Sequence, residues 1–402
     1  MNYIELNNQV IIRDENGKYQ LNKDKEALKS YLEDYIEPKM KKFDNLNDRL
    51  NYLVENDYYS KEILDLYDQY VIDVIYDFIR AKNFKFQSYM SASKFYQNYA
   101  LKSNDGEEIL ENYEDKVLIV ALTLGNGEPK LAKDIAEKLI NQEFQPATPT
   151  FLNAGRARGG KMVSCFLVNV EDSCEGISYA VSSANHLSKI GGGVALNLTR
   201  LRASGESIKG IKGAAGGVMG VAKLLEQSFS YFNQMGARQG AGAVYLNVLH
   251  PDFETLLDSK KINADEKIRL TTLSIGAIIP DKFMELAEKN EKCYAFYPHS
   301  IYQKYGVHLD GIKMDEWYDK LANDDEIEKK EINPRELLTR IAQTQQESGY
   351  PYVVFIDSAN EQHTLKDVGM IKMSNLCCEI FQYQTPSDIK GYGQVSDWGQ
   401  DI

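Results

Sequence analysis

The chain has 402 residues, 43% of them hydrophobic and 26% charged, with a formal net charge of -13. This composition is ordinary for a globular protein, the length suffices for two domains, and the acidic balance argues against a nucleic-acid polymer as partner. No apolar run approaches the roughly 18 residues needed to cross a bilayer, and the start M-N-Y-I-E-L-N-N lacks a basic region followed by an apolar one, so the expectation is a cytoplasmic protein without a membrane partner.

Residues 1–145 read as a helical domain. The runs K-E-A-L-K-S-Y-L-E-D-Y-I (25–36) and D-R-L-N-Y-L-V (48–54) repeat apolar residues at helical spacing. Lys61 to Ile79 reads as one longer helix. Two more helices are predicted over 108–124 and 130–141, parted by G-N-G-E-P. Aromatic stripes at this spacing serve packing more often than chemistry, and no catalytic role is assigned to this domain.

Residues 146–402 have a different texture. Five strand-like runs, V-S-C-F-L-V-N-V, G-V-A-L-N-L, A-V-Y-L-N-V, T-L-S-I-G-A-I-I and Y-V-V-F-I, alternate with helical segments predicted over 176–189, 217–232, 280–289 and 334–348. Strands alternating with helices define an α/β fold with parallel pairing through right-handed crossovers. The segment N-D-D-E-I-E-K-K-E-I-N-P (323–334) and the last twenty residues read as surface loops.

The five cysteines, at 165, 174, 293, 377 and 378, are too few and too irregular for a secreted disulfide framework. They form no C-x-x-C pair, and no H-E-x-x-H is present, so no metal site is expected. From 151 to 240 the chain carries ten Lys or Arg against five Asp or Glu. A basic region inside an acidic protein suits small anions such as nucleotide phosphates, although a solvated face accounts for any one of these residues.

The stretch M-S-N-L-C-C-E-I (373–380) places a thiol between an amide and a carboxylate. In an extended backbone Asn375, Cys377 and Glu379 point to one side and Leu376 and Cys378 to the other. In a helix Asn375 and Glu379 share a face and Cys377 lies roughly opposite. The extended arrangement suits chemistry on a polyhydroxylated substrate, one group taking a hydrogen while its neighbours handle hydroxyl protons. Simple burial of the cysteine is the plainer alternative.

S-N-L-C-C-E resembles the finger-loop motif of the large (alpha) subunit of class I ribonucleotide reductases. Upstream, P-A-T-P-T-F-L-N-A-G (146–155), V-S-C-F-L (163–167), G-G-G-V-A-L-N (191–197), N-Q-M-G-A-R-Q-G-A-G-A-V-Y-L (233–246) and E-S-G-Y-P-Y (347–352) resemble the same family, in its order and with similar spacing. The match is closest to the short aerobic subclass Ib and covers most of the chain after about residue 20. V-I-I-R-D-E-N-G-K (10–18) has a faint likeness to the start of an ATP-cone domain, but too few residues precede the helices for a complete one, so no full overall-activity site is expected.

The resemblance implies a helical domain followed by the first half, about five parallel strands, of a ten-stranded α/β barrel, with the finger loop near the C-terminus. It implies Cys377 as thiyl-radical residue, Glu379 and Asn375 as its catalytic neighbours and substrate contacts, and Cys165 as one of two redox cysteines. Thr150 and Ser164 match substrate-binding positions, though hydroxyls there often bond only to backbone. Asp172, Arg202 and Lys209 match the site for a deoxynucleotide or ATP effector; a lysine at 209, where some members carry arginine, weakens bidentate phosphate contact there. Gln234 and Arg238 lie in the loop linking effector to substrate, where an ordinary glycine turn explains the glycines but not these polar residues.

No cofactor is expected to bind this chain directly, the dimetal-tyrosyl radical residing in a partner beta subunit. The other expected partners are the C-terminal remainder of the alpha subunit, a thioredoxin- or glutaredoxin-like reductant, and a second alpha chain. The second redox cysteine and the other barrel half are expected beyond Ile402. The alternative is an inactive reductase fragment that binds nucleotide or dimerises.

Overall fold

A computed structural model describes residues 2–232 and 240–384, and the backbone of 388–389 and 395–397. The chain divides into two compact units, Met1–Val163 and Ser164–Ile402, later than the 145/146 boundary expected from texture. The reason is the helix Thr148–Asn153, whose Phe151, with Ala154 just after it, is buried in the helical core.

The first unit is built around the helix Tyr113–Gly125, which is buried on most of its surface. It begins five residues later than the predicted 108 because Asn112 and Asp115 form a capping box there, Asn112 accepting from Asp115 N and Asp115 from Asn112 N, each at 2.9 Å. The helix carries two charges into the core, and each finds partners, as burial demands. Asp115 pairs with Arg49 and accepts from the Tyr76 hydroxyl at 2.8 Å. Lys116 Nζ lies 3.9 Å from Glu111, which also accepts from the Tyr59 hydroxyl at 2.5 Å. The single helix expected over 61–79 is two, Lys61–Leu64 and Gln69–Ala81. Tyr67 occupies the break, its hydroxyl donating to Leu122 O and accepting from Gly127 N, both at 2.8 Å.

The second unit is the expected α/β arrangement. Strands β1 (Cys165–Asn169), β2 (Gly193–Asn197), β3 (Ala241–Asn247) and β4 (Ser274–Ile279) lie side by side in that order, all parallel. The helices Cys174–Lys189 and Val218–Tyr231 and the short helix Phe253–Asp258 fill the crossovers. After the helix Asp281–Lys289 the chain makes an excursion containing β5 (Cys293–Phe296) and β6 (Lys329–Ile332), which pair antiparallel. It returns through Pro334–Ser348 as β7 (Tyr352–Phe355), parallel to β4 at the sheet edge. β6 lies in the segment read as a surface loop. Of its four residues only Ile332 is buried, so it shows no apolar alternation, and backbone pairing with β5 defines it. The tail expected to be loop also contains a short ladder, β8 (Asp388–Ile389) against β9 (Val395–Asp397).

Side chains alternate across a strand, and the two faces of the sheet differ. Val168, Val194, Leu196, Val244, Leu246, Ile275, Ala277 and Ile279 belong to the core under the crossover helices. Leu167, Ala195, Ala243, Tyr245, Ile278 and Val354 form a separate cluster on the opposite face, and Met373 packs with them. That face receives the segment after residue 371.

Candidate active site

Cys165 opens β1 and, two residues before Leu167, projects to the face of the sheet that Met373 covers. The segment bearing Asn375 reaches the same face from the helix Ile356–Gln362. Asn360 of that helix fixes its approach, donating to Ile371 O at 3.0 Å and accepting from Ile371 N at 2.8 Å. Met373, Ser374 and Asn375 are fully buried.

The extended backbone expected over 375–379 is not what forms. Cys378 N donates to Asn375 O at 3.1 Å, closing a turn, and Cys378 is left-handed with φ +63°. The Asn375 side chain is the physical cause. Its Oδ1 accepts from Glu379 N and Ile380 N, both at 2.9 Å, and its Nδ2 donates to Glu379 Oε1 at 2.9 Å. Asparagine commonly offers the backbone such local partners in place of a regular ladder.

The turn still parts the two cysteines, with different geometry from a pleat. Cys377 is exposed at its tip, near Tyr352, whose hydroxyl pKa is raised by burial, by Tyr350 and, less, by Cys377. Cys378 turns back toward the sheet, its thiol donating to Val353 O at 3.6 Å. Asn375 and Glu379 meet side chain to side chain, and the Cys165 thiol lies 3.8 Å from the same Glu379 Oε1. Three of the four residues expected at the chemical centre are thus joined through one carboxylate, with Cys377 on the turn between Asn375 and Glu379.

Two further residues shape this site and were not singled out from sequence. Tyr245 on β3, wholly buried, donates its hydroxyl to Asn375 O at 2.7 Å. Burial, and after it Cys378, raises its pKa. Gly193 on β2 leaves room for Leu376, whose Cδ2 would lie 2.8 Å from any Cβ added there. A tyrosine at an inward strand position was the available signal for the first; the second was marked only as the last glycine of G-G-G-V-A-L-N (191–197).

The other expected residues fall as follows. Ser164 immediately precedes β1, and its carbonyl accepts from Gly193 N at 2.6 Å. Thr150, in the first unit, donates to Met162 O at 3.2 Å, a bond to backbone twelve residues on. Asp172 and Arg202 come together, Oδ2 to Nε at 3.3 Å, with Arg202 N also donating to Asp172 Oδ1 at 3.1 Å. Lys209 is exposed in the glycine-rich loop, with φ +51°. That loop is closed at its base by Asp252, which accepts from Ser204 N and Val218 N, and by Glu206, which accepts from Ala203 N at 2.7 Å and His299 N at 3.2 Å. Gln234 and Arg238 lie outside the described residues. Among the described residues no cluster of three or more His, Cys, Asp or Glu could hold a metal, and no helix is long and apolar enough to cross a membrane.

A parallel α/β sheet thus carries a thiol, a carboxylate and an amide gathered on one face by a reverse turn. Residues 163–392 match the family described as ribonucleotide reductase, barrel domain; residues 85–159 match its all-alpha domain and 3–84 its N-terminal region. The chain belongs to the ribonucleotide reductase large-subunit family. It is 50% identical over 400 residues to the ribonucleoside-diphosphate reductase subunit alpha of Bacillus subtilis, covering 100% of this chain and 57% of that protein. It is 43% identical over 400 residues to the corresponding subunit of Mycoplasma genitalium, covering 100% of this chain and 54% of that one. The large chain of Neurospora crassa is 30% identical over 324 residues, 80% of this chain and 34% of its own length. The chain therefore spans about half the length of the bacterial relatives it matches.

Proposed function

We propose that this chain supplies the finger loop and one redox thiol to an enzyme that reduces ribonucleoside diphosphates to 2'-deoxyribonucleoside diphosphates. The observation that supports this reading is the contact of Cys165 with Glu379, which Asn375 also holds. An oxidising equivalent from a beta-type subunit converts the Cys377 thiol to a thiyl, which takes the 3' hydrogen atom of the ribose: an S–H bond forms as a C–H bond breaks. Glu379 accepts the 3'-hydroxyl proton and Asn375 orients the ribose hydroxyls. The 2'-hydroxyl is protonated and leaves as water. Cys165 and a second thiol from the rest of the barrel supply two electrons and two protons and become a disulfide, after which Cys377 returns the hydrogen to C3'. Asp172 and Arg202, with Lys209, hold the deoxynucleotide or ATP effector, and Gln234 and Arg238 are the candidate base contacts. A thioredoxin- or glutaredoxin-like protein restores the thiols, and a second alpha chain completes the effector site.

The test is turnover with the remaining barrel segment and a beta subunit present. Cys377→Ser abolishes deoxynucleotide formation, whereas Cys378→Ser, on the other side of the turn, largely preserves it; equal loss in both variants overturns the assignment. A module that only binds nucleotide or dimerises shows effector binding and no turnover under the same conditions.

A further inference from the structure

The backbone of the turn that carries Cys377 is tied to the sheet beneath it by the side chain of Tyr245. Tyr245 stands at the centre of the sheet on β3, directly opposite Gly276 on β4. A Cβ on Gly276 would lie 2.3 Å from two carbons of the Tyr245 ring, so the ring occupies the space that glycine leaves vacant. Laid across its neighbour in this way, the ring delivers its hydroxyl to Asn375 O at 2.7 Å. The same carbonyl closes the turn by accepting from Cys378 N at 3.1 Å. One backbone oxygen thus receives both the bond that makes the turn and the bond that ties it to the sheet. Cys378 packs in the same small cluster as Tyr245, and its left-handed backbone, strained for a non-glycine residue, keeps its thiol down while Cys377 faces out.

We propose that Tyr245 is a positioning residue for the Cys377 thiol, its hydroxyl and the missing side chain at Gly276 together fixing the turn that presents Cys377 and withdraws Cys378. That Cys377 performs chemistry rests on the reductase reading above; the control of the turn does not.

The experiment follows both thiols in the full 402-residue chain by site-resolved mass spectrometry of iodoacetamide labelling. In Tyr245→Phe the ring stays and one buried hydrogen bond goes. Cys378 is then labelled about five-fold faster, the ratio given by roughly 1 kcal/mol of net hydrogen-bond free energy. Cys293, buried in β5 on the helix-covered side of the sheet, stays protected. Gly276→Ala, which keeps the hydroxyl but displaces the ring, accelerates Cys378 in the same way. An unchanged Cys378 rate in Tyr245→Phe overturns the proposal. So does exposure of Cys293, since a role confined to the turn cannot open β5. Labelling needs no turnover, so its failure is distinct from failure of the reductase reading. In the complemented enzyme Tyr245→Phe lowers kcat with KM unchanged, and Tyr245→Trp, lacking the phenol, does not restore it.

Discussion

Asn375 is the residue whose removal tests the site geometry most directly. It is fully buried, and its Oδ1 is the acceptor for two backbone donors, Glu379 N and Ile380 N. Asn375→Ala strands both. An unsatisfied buried donor costs about 1–3 kcal/mol, but Glu379 and Ile380 are themselves exposed, and water recovers part of the loss. The lower end for each gives about 2 kcal/mol for opening the loop, or roughly 30-fold in the opening equilibrium. Residue-resolved amide hydrogen exchange reads this without assuming two-state unfolding of a chain with two compact units. The amides of 379 and 380 exchange about 30-fold faster in Asn375→Ala, while Ile371, held by Asn360, keeps its protection. Asn375→Asp retains the acceptors, so these amides stay within about threefold of wild type. That variant instead opposes a second carboxylate to Glu379, and one of the pair holds its proton to higher pH. Unchanged exchange in the alanine variant, or equal deprotection in the aspartate variant, would refute the assignment of the turn to this amide.

Gly193→Val drives Leu376 from the sheet, because even a Cβ would meet Leu376 Cδ2 at 2.8 Å. Exchange at 376–379 rises in that variant, whereas in Gly193→Ala the flexible leucine end yields and exchange stays near wild type; the reverse order would show that Leu376 does not seat the loop. Glu206 gives a pH dependence at the glycine-rich loop. Burial, the largest effect, with Asp172 and Glu328 adding to it, lifts its carboxyl to about 7 against the backbone donors of Ala203 and His299. The folded state therefore binds the proton more tightly than the unfolded chain, whose carboxyl ionises near the ordinary 4.5. The resulting stability is fully present below that lower value and is lost as pH rises through about 7. Exchange of 201–217, corrected for intrinsic rate, increases from pH 5.5 to pH 8 in wild type and much less in Glu206→Gln; parallel profiles would dismiss the carboxyl as its source.

The five strands were legible because all but the edges are covered on both faces, so they read as nearly continuous apolar runs bounded by turn residues. The helix predicted over 334–348 coincides with Pro334–Ser348, where Asn333 caps the start and Gly349 ends it in the left-handed conformation. β6 was illegible for the opposite reason: exposed Lys330 and Glu331 carry no periodic signal. The break between the helices Lys61–Leu64 and Gln69–Ala81 was hidden because the apolar spacing continues through it. A tertiary bond from Tyr67 to the carbonyl of Leu122 decides it, and local periodicity does not contain that information.

The residues of the candidate site were legible as chemistry, while the way they meet was not. Alternation assumes a backbone that is already extended, and at Asn375 the side chain chooses the backbone. What the sequence does hold, once the register is known, is the path of the loop over the sheet. Cys378 bonds to Val353 on β7, Asn375 O to Tyr245 on β3, Leu376 covers Gly193 on β2, and Glu379 meets Cys165 on β1. The loop thus spans the sheet from one edge to the other. It can lie that close because small residues, Gly193 and Ala195 on β2, Ala243 on β3 and Gly276 on β4, stand among Leu167, Tyr245, Ile278 and Val354 on the face beneath it. A thiol and a carboxylate 214 residues apart in the chain are brought together by that combination. Larger side chains at the four small positions would lift the loop and part them without touching any residue expected to react.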